Sequence, residues 1–243
     1  MELTWLDEKI AETYDAASQD MFDPAVLDPT VDFLAELAKD GGALEFGIGT
    51  GRVALPLSRR GVRVRGIDIS EAMVAQLQAK PDSDAIAVSI GNFTTATAEE
   101  KFRVVYLIFN AITNLTTQAE QVECFRNAAA HLEPGGFLVA EAFIPELQRI
   151  PRGEIFRAFK VTPEHLGIDE YDVAKQLCTS HHYFSADGQL VVFSSRHRYA
   201  WPSELDLMAR LAGMSLHERW SDWTRKPFTS ESTDHISVWR KPL

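Results

Sequence analysis

Three glycines at alternate positions, Gly47, Gly49 and Gly51, follow an acid, Glu45, at the end of a short apolar run. Glycine permits a tight turn and lets a ligand lie against bare backbone. If a helix opens behind such a turn, its first N–H groups lack partners and favour an anionic group. A second acid, Asp68, ends the next apolar run in Gly66-Ile67-Asp68-Ile69. At the carboxyl end of a strand, beside the glycine loop, that carboxylate suits the two hydroxyls of a ribose. A third run ends in Gly91-Asn92-Phe93, which offers an amide to a nucleobase edge and a ring to pack beside it. The glycine pattern alone is a weak signal, because Gly49-Thr50-Gly51-Arg52-Val53-Ala54 also fits the dinucleotide form G-x-G-x-x-A. A nicotinamide-dependent oxidoreductase is therefore one alternative, and a non-catalytic protein that binds such a cofactor is another.

These groups meet only if strands deliver them to one edge. Residues 43–46, 62–67, 85–90, 102–109 and 136–143 read as strands, and residues 51–60, 70–80 and 117–131 as helices between them. Ser70 is a natural N-cap with Glu71 in the first turn behind it. Pro56 predicts either a kink in the first of these helices or a later start. Strands separated by helices imply right-handed crossovers and a parallel sheet covered on both faces. Residues 4–18 and 24–39 read as earlier helices, stopped by Gly41-Gly42, and residues 1–40 are expected to form a helical lid.

After residue 145 the rhythm changes. Residues 174–184 and 190–201 read as strands joined by Ala186-Asp187-Gly188-Gln189, a strong hairpin signal. A two-residue turn at Asp187-Gly188 pairs Phe184 with Val191 and His182 with Phe193. Alternation then places Cys178, His182, Phe184, Val191, Phe193, His197 and Tyr199 on one mostly apolar face, with His181 and Arg196 on the other. A helix over 202–212 and strands around 216–223 and 235–240 complete the chain. The whole of 1–243 reads as a single α/β domain with a β-hairpin insertion at 172–201.

Composition narrows the partners. With 24 Lys and Arg against 35 Asp and Glu, the formal net charge is −11, which repels phosphate backbones and argues against nucleic acid. The two cysteines, Cys124 and Cys178, form no disulfide framework and lack zinc-site spacing, so a reducing cytoplasm is the expected compartment. No metal is expected, since no Asp, His or Cys cluster has ligand spacing. No apolar run reaches the ~20 residues of a membrane span, and the acidic N-terminal segment does not read as a leader.

Over nearly its whole length, and most clearly from Ala43 to Phe143, the chain resembles the class I S-adenosylmethionine-dependent methyltransferases. Glu45-Phe46-Gly47-Ile48-Gly49-Thr50-Gly51 is similar to the family's first motif, Asp68 to its ribose-binding acid, and Leu132-Glu133-Pro134-Gly135-Gly136 to the turn before its fifth strand. Asn92 stands where the family more often has Asp, and Arg103 where Asp is usual at the entry to the fourth strand. The resemblance implies a Rossmann-like sheet of seven strands with the last antiparallel. It implies that S-adenosylmethionine, leaving as S-adenosylhomocysteine, is held by Tyr14, Glu45, Gly47, Gly49, Thr50, Gly51, Asp68, Ile69, Gly91, Asn92, Phe93 and Phe109. Beyond residue 150 the layout is similar to a small-molecule subgroup that includes amino-sugar N-methyltransferases, in which a hairpin covers the substrate pocket.

The implied reaction is an in-line displacement on a sulfonium methyl, at N or O of a small molecule. Alignment alone supplies ~7–11 kcal/mol, and a base is needed only if the nucleophile arrives protonated. Asn110, following the fourth strand, is a candidate to orient the acceptor, although capping the next turn is an equal reading. His182 and His197 are candidate bases. Glu141, Phe143 and Tyr199 are candidate substrate contacts. A monomer or homodimer is expected.

Overall fold

The computed structural model describes residues 8–186 and 189–243. Helices α1 (Glu8–Ala17) and α2 (Pro24–Ala38) precede an alternating core of β1 (Gly42–Phe46), α3 (Ala54–Arg59), β2 (Arg63–Asp68), α4 (Glu71–Gln78), β3 (Ala87–Ile90), β4 (Phe102–Leu107), α5 (Gln118–His131) and β5 (Leu132–Phe143). Strands β6 (Phe156–Val161), β7 (His165–Asp172), β8 (Leu177–Ala186) and β9 (Gln189–Arg198) follow. Helix α6 (Pro202–Leu211), β10 (Ser215–Trp220) and β11 (Asp234–Arg240) complete it.

The central sheet has seven strands in the order β10-β11-β5-β4-β1-β2-β3. β1, β2, β3, β4 and β5 run parallel, and β11 pairs antiparallel with β5, as the family resemblance implies. Because side chains alternate, each strand feeds two apolar layers. Phe46, Val105, Leu138 and Trp239 pack toward α5 and α6. Val64, Val104, Tyr106 and Val139 pack toward α2, α3 and α4.

Local chemistry sets the ends of the elements. Ser70 Oγ accepts from Met73 N and caps α4, and Thr117 and Glu120 form a capping box at α5. α3 starts at Ala54, later than the sequence pattern implies, so Pro56 lies in its first turn, where a missing N–H does no harm. β4 stops at Leu107 rather than at residue 109, because Phe109 and Asn110 turn left-handed, with φ of 51° and 62°. β5 begins at Leu132, inside the expected turn, and its register with β4 breaks between Phe102 and Val104.

The hairpin expected at 172–201 is the outer half of a second, four-stranded sheet ordered β6-β7-β8-β9. Phe184 faces Val191 and His182 faces Phe193 in the expected register. The turn itself, Asp187-Gly188, lies outside the described residues. β6 and β7 give no clear sequence signal because strict alternation breaks at a register shift between Ala158 and Lys160 and their apolar residues are largely exposed, such as Phe156 and Val161. Among the described residues no helix is long and apolar enough to cross a membrane.

Candidate functional site

A continuous cavity of about 1050 Å³ runs from the glycine loop, past the turn after β4, to the inner face of the four-stranded sheet. At its first end Gly47 and Gly49 are left-handed, with φ of 77° and 54°, and a Cβ at Gly49 would meet nothing within 4 Å. The loop thus presents bare backbone. α3 opens at Ala54, three residues past Gly51, so the glycine loop does not run straight into a helix. Gly51 serves packing instead, because its Cβ would lie 2.3 Å from Leu77 Cδ1, and glycine is needed there to seat the loop on α4.

Asp68 is shaped by this loop. Its Oδ2 accepts from Gly49 N at 2.7 Å and its Oδ1 from Ser70 N at 2.8 Å. Burial raises its pKa, and these hydrogen bonds work against the rise. Each oxygen keeps a lone pair that can accept from a hydroxyl group. Glu45 is 3% exposed and accepts from Tyr106 Oη at 3.0 Å. Burial pushes it up to about 8, against the Tyr106 hydrogen bond and the charge of Arg52. A carboxyl in that condition stays protonated at neutral pH until a cation lies beside it. Arg52 also lines the cavity, with its guanidinium 5.2 Å from the centre of the Phe109 ring.

Helix α1 closes this end. Asp15 accepts from Thr50 Oγ1 at 2.6 Å and pairs with Lys80, which also donates to the Thr50 carbonyl at 2.7 Å. Tyr14, one residue earlier, reaches the cavity, and burial raises its pKa. Phe93 lies stacked on Phe46 at 5.7 Å and forms part of the wall.

The turn after β4 divides the cavity. Two consecutive left-handed non-glycine residues cost about 1–3 kcal/mol each and persist only where the surroundings hold them. Here Glu141 Oε2 accepts from Phe109 N at 2.6 Å, and Trp223 Nε1 donates to its Oε1 at 2.9 Å. Asn110 Oδ1 accepts from Phe143 N at 2.7 Å, while the Asn110 carbonyl accepts from Thr113 N at 2.8 Å and from Thr113 Oγ1 at 2.7 Å.

At the far end, Asp169, Ser180 and Ser195 stand opposite one another across β7, β8 and β9. Ser180 Oγ donates to Asp169 Oδ1 at 2.6 Å, and Tyr171 Oη to Asp169 Oδ2 at 3.3 Å. His197 lies 2.8 Å from Ser195 Oγ through Nε2 and 3.2 Å from Thr113 Oγ1 through Nδ1. His182 Nδ1 is 3.0 Å from His165 Nε2, with the rings of Phe159 and Phe193 nearby. Burial pulls His182 and His197 down to about 4, so both are neutral at pH values near 7.

Of the residues expected from sequence, Tyr14, Glu45, Gly47, Gly49, Thr50, Asp68, Ile69, Phe93, Phe109, Asn110, Phe143, His182 and His197 line this cavity. Gly51, Gly91, Asn92, Glu141 and Tyr199 lie off its wall. Asn92 spends its Oδ1 on Thr94 N and Oγ1, both at 2.9 Å, in a tight turn. Gly91 N donates to the Asp68 carbonyl at 2.8 Å. Glu141 has both oxygens committed to the turn and to Trp223. Tyr199 is 1% exposed and packs behind Tyr171. Sequence reasoning missed Arg52, Thr113, Asp169, Ser180 and Ser195. Ser180 and Ser195 share the inward alternation of His182 and His197, so the same periodicity could have found them. Asp169 has no such signal, because β7 lacks an apolar rhythm.

A family profile described as a methyltransferase domain matches residues 43–136. The chain is 36% identical to the CcbJ methyltransferase from Streptomyces caelestis, whose solved structure superposes with a TM-score of 0.86 over 96% of each chain. It is 27% identical over 241 residues to the cypemycin N-terminal methyltransferase of a Streptomyces species, covering 96% of each. The fold is shared with CalS10, an amino pentose methyltransferase from Micromonospora echinaspora, at 18% identity, a TM-score of 0.70 and 99% of each chain.

Proposed function

The chain belongs to the S-adenosylmethionine-dependent methyltransferases, and from that premise we propose that it methylates an amine nitrogen of a small molecule. One relative supports nitrogen by name, since it acts at an N-terminus. The observation that carries the reading is the continuity of the cavity. One end has the bare backbone, ribose acid and buried Glu45 that fit an adenosyl sulfonium, and the other has hydroxyls and a carboxylate that fit an amine. S-adenosylmethionine supplies an electrophilic methyl with a neutral leaving group.

The chain's own residues bind, orient and exclude water. Asp68 holds the ribose hydroxyls. Glu45 and Arg52 hold the cationic and anionic ends of the methionine part. Tyr14 on α1 covers this end, so α1 acts as its lid, while α2 packs into the core against the sheet. Phe109 and Asn110 form the narrow point between donor and acceptor. Buried, neutral His182 and His197 hold little affinity for a proton at neutral pH, so the acceptor nitrogen loses its proton to solvent before it attacks. The acidic surface and a cavity of this size favour a small molecule over nucleic acid, and two buried free thiols suit a reducing cytoplasm.

Methyl-labelled S-adenosylmethionine incubated with amino glycosides and with matched alcohols tests the proposal. Label is expected on the amines alone, with a rate that rises with pH until the amine's own pKa is reached. Label on the alcohols, or on no acceptor, would refute it.

A further inference from the structure

The row Asp169, Ser180 and Ser195 has a property that follows from where each hydrogen must go. The Asn110 carbonyl can only accept, so the single hydroxyl hydrogen of Thr113 is spent on it at 2.7 Å. The contact between Thr113 Oγ1 and His197 Nδ1 at 3.2 Å then requires the hydrogen to sit on Nδ1. A neutral imidazole carries one N–H, so Nε2 is left with a lone pair, and Ser195 must donate to it at 2.8 Å. Ser195 Oγ therefore turns only lone pairs to the cavity. Ser180 reaches the same state by another route, since its hydrogen goes to Asp169 Oδ1, and Tyr171 gives its hydrogen to Oδ2. The three residues lie side by side across β7, β8 and β9 on the inner face.

We propose that Asp169, Ser180 and Ser195 form an acceptor-only row that selects the methyl acceptor by its hydrogen-bond donors. His197 is its positioning residue and fixes the polarity of Ser195 from the Asn110 carbonyl. This rests on the methyltransferase reading of the same cavity. The row carries one carboxylate, while the nearby Arg157 is paired with Glu146. A cationic donor is favoured here over a neutral one, and a group that can only accept is left facing lone pairs, at the cost of an unpaired polar atom. The row also draws on both halves of the fold, because the hydrogen that sets Ser195 is anchored in the turn after β4. A change at Thr113, which need not touch the acceptor, alters what the row accepts.

The test uses the full chain loaded with S-adenosylhomocysteine. Nitrogen NMR of labelled histidine, with the His197 signal identified by its loss in His197→Asn, is expected to show a protonated Nδ1 and a bare Nε2 at neutral pH. Thr113→Val is expected to move the hydrogen to Nε2. A wild-type Nε2–H signal overturns the polarity assigned to the row. Calorimetry then compares a methyl 3-amino-3-deoxyglucoside with the parent methyl glucoside. The amino probe is expected to bind about tenfold or more tighter, and Asp169→Asn to reduce that preference to less than about threefold, with affinity for S-adenosylhomocysteine unchanged. Equal binding of the two probes, binding of neither, or an unaltered preference in Asp169→Asn overturns the recognition role. Failure of S-adenosylhomocysteine to bind at all would instead sink the methyltransferase reading.

Discussion

The two sheets meet at one cavity and shape it by different means. The seven-stranded sheet offers main chain: a glycine loop, the ends of parallel strands, and an acid whose oxygens are oriented by backbone N–H groups. It is buried between helices on both faces, and its strands read as apolar runs. The four-stranded sheet offers side chains. Its inner face sets polar groups such as Asp169, Ser180, Ser195 and His197 among apolar ones such as Phe193, and its outer face carries exposed Phe156, Val161, Leu166 and Leu190. A seat built from backbone tolerates few sequences and serves one ligand, whereas a seat built from alternate side chains changes with each substitution. On the proposed placement of donor and acceptor, the cofactor end is thus the constant part of the site and the acceptor end the adjustable one.

The contrast is sharpest at the joint between the sheets. Arg198 at the end of β9 is 5% exposed, donates to Glu204 Oε1 at 2.8 Å and to Gln176 Oε1 at 3.0 Å, and also bonds Gln121 on α5. Breaking a buried pair strands the remaining charge. Arg198→Ala is expected to lower stability by about 3–5 kcal/mol, read as a lower midpoint in urea unfolding. If the four-stranded sheet melts in a separate, earlier transition, the two regions are independent units. A single shifted transition makes them one.

The next effect in size belongs to the cofactor end. Asp68→Ala is expected to weaken S-adenosylhomocysteine binding by about tenfold or more, measured by calorimetry, because ribose hydroxyls and the Gly49 and Ser70 N–H groups all lose an acceptor. The amino-glucoside preference assigned to the other sheet should survive wherever binding is measurable. Joint loss of both would erase the distinction between constant and adjustable ends.

A third effect is graded with pH. Glu45, pushed up to about 8, holds a proton that the cationic end of the methionine part must displace. Affinity for S-adenosylhomocysteine is expected to rise with pH, by up to about tenfold per unit, and to level off above 8. The same shift lowers folding stability as the pH climbs from the ordinary carboxylate range toward 8, since the folded chain binds the extra proton. Glu45→Gln should flatten the binding profile. A profile as steep in that variant would move the titration elsewhere.

What could be read from sequence follows the same division. Gly47, Gly49 and Asp68 announce themselves, because left-handed backbone and a strand-end acid constrain residue type. The parallel strands were equally plain, since burial on both faces forces apolar runs such as VVYLIF. The acceptor end was legible only through alternation, which found His182 and His197 but failed at β6 and β7, where exposure removes the apolar rhythm. Glu141 misled for a physical reason: an acid at a strand end serves a ligand or a neighbouring turn equally well, and only Phe109 N and Trp223 decide between them. Asn92, likewise at a strand end, has its Oδ1 engaged by Thr94 in its own turn.

The left-handed pair Phe109-Asn110 has a practical consequence. Stitched to Glu141 and Phe143, it has a fixed shape before any acceptor arrives, so the entropy of ordering it is met during folding and not during each catalytic cycle. Redesign toward new acceptors should leave that corner untouched and graft changes onto the inward positions of β7, β8 and β9.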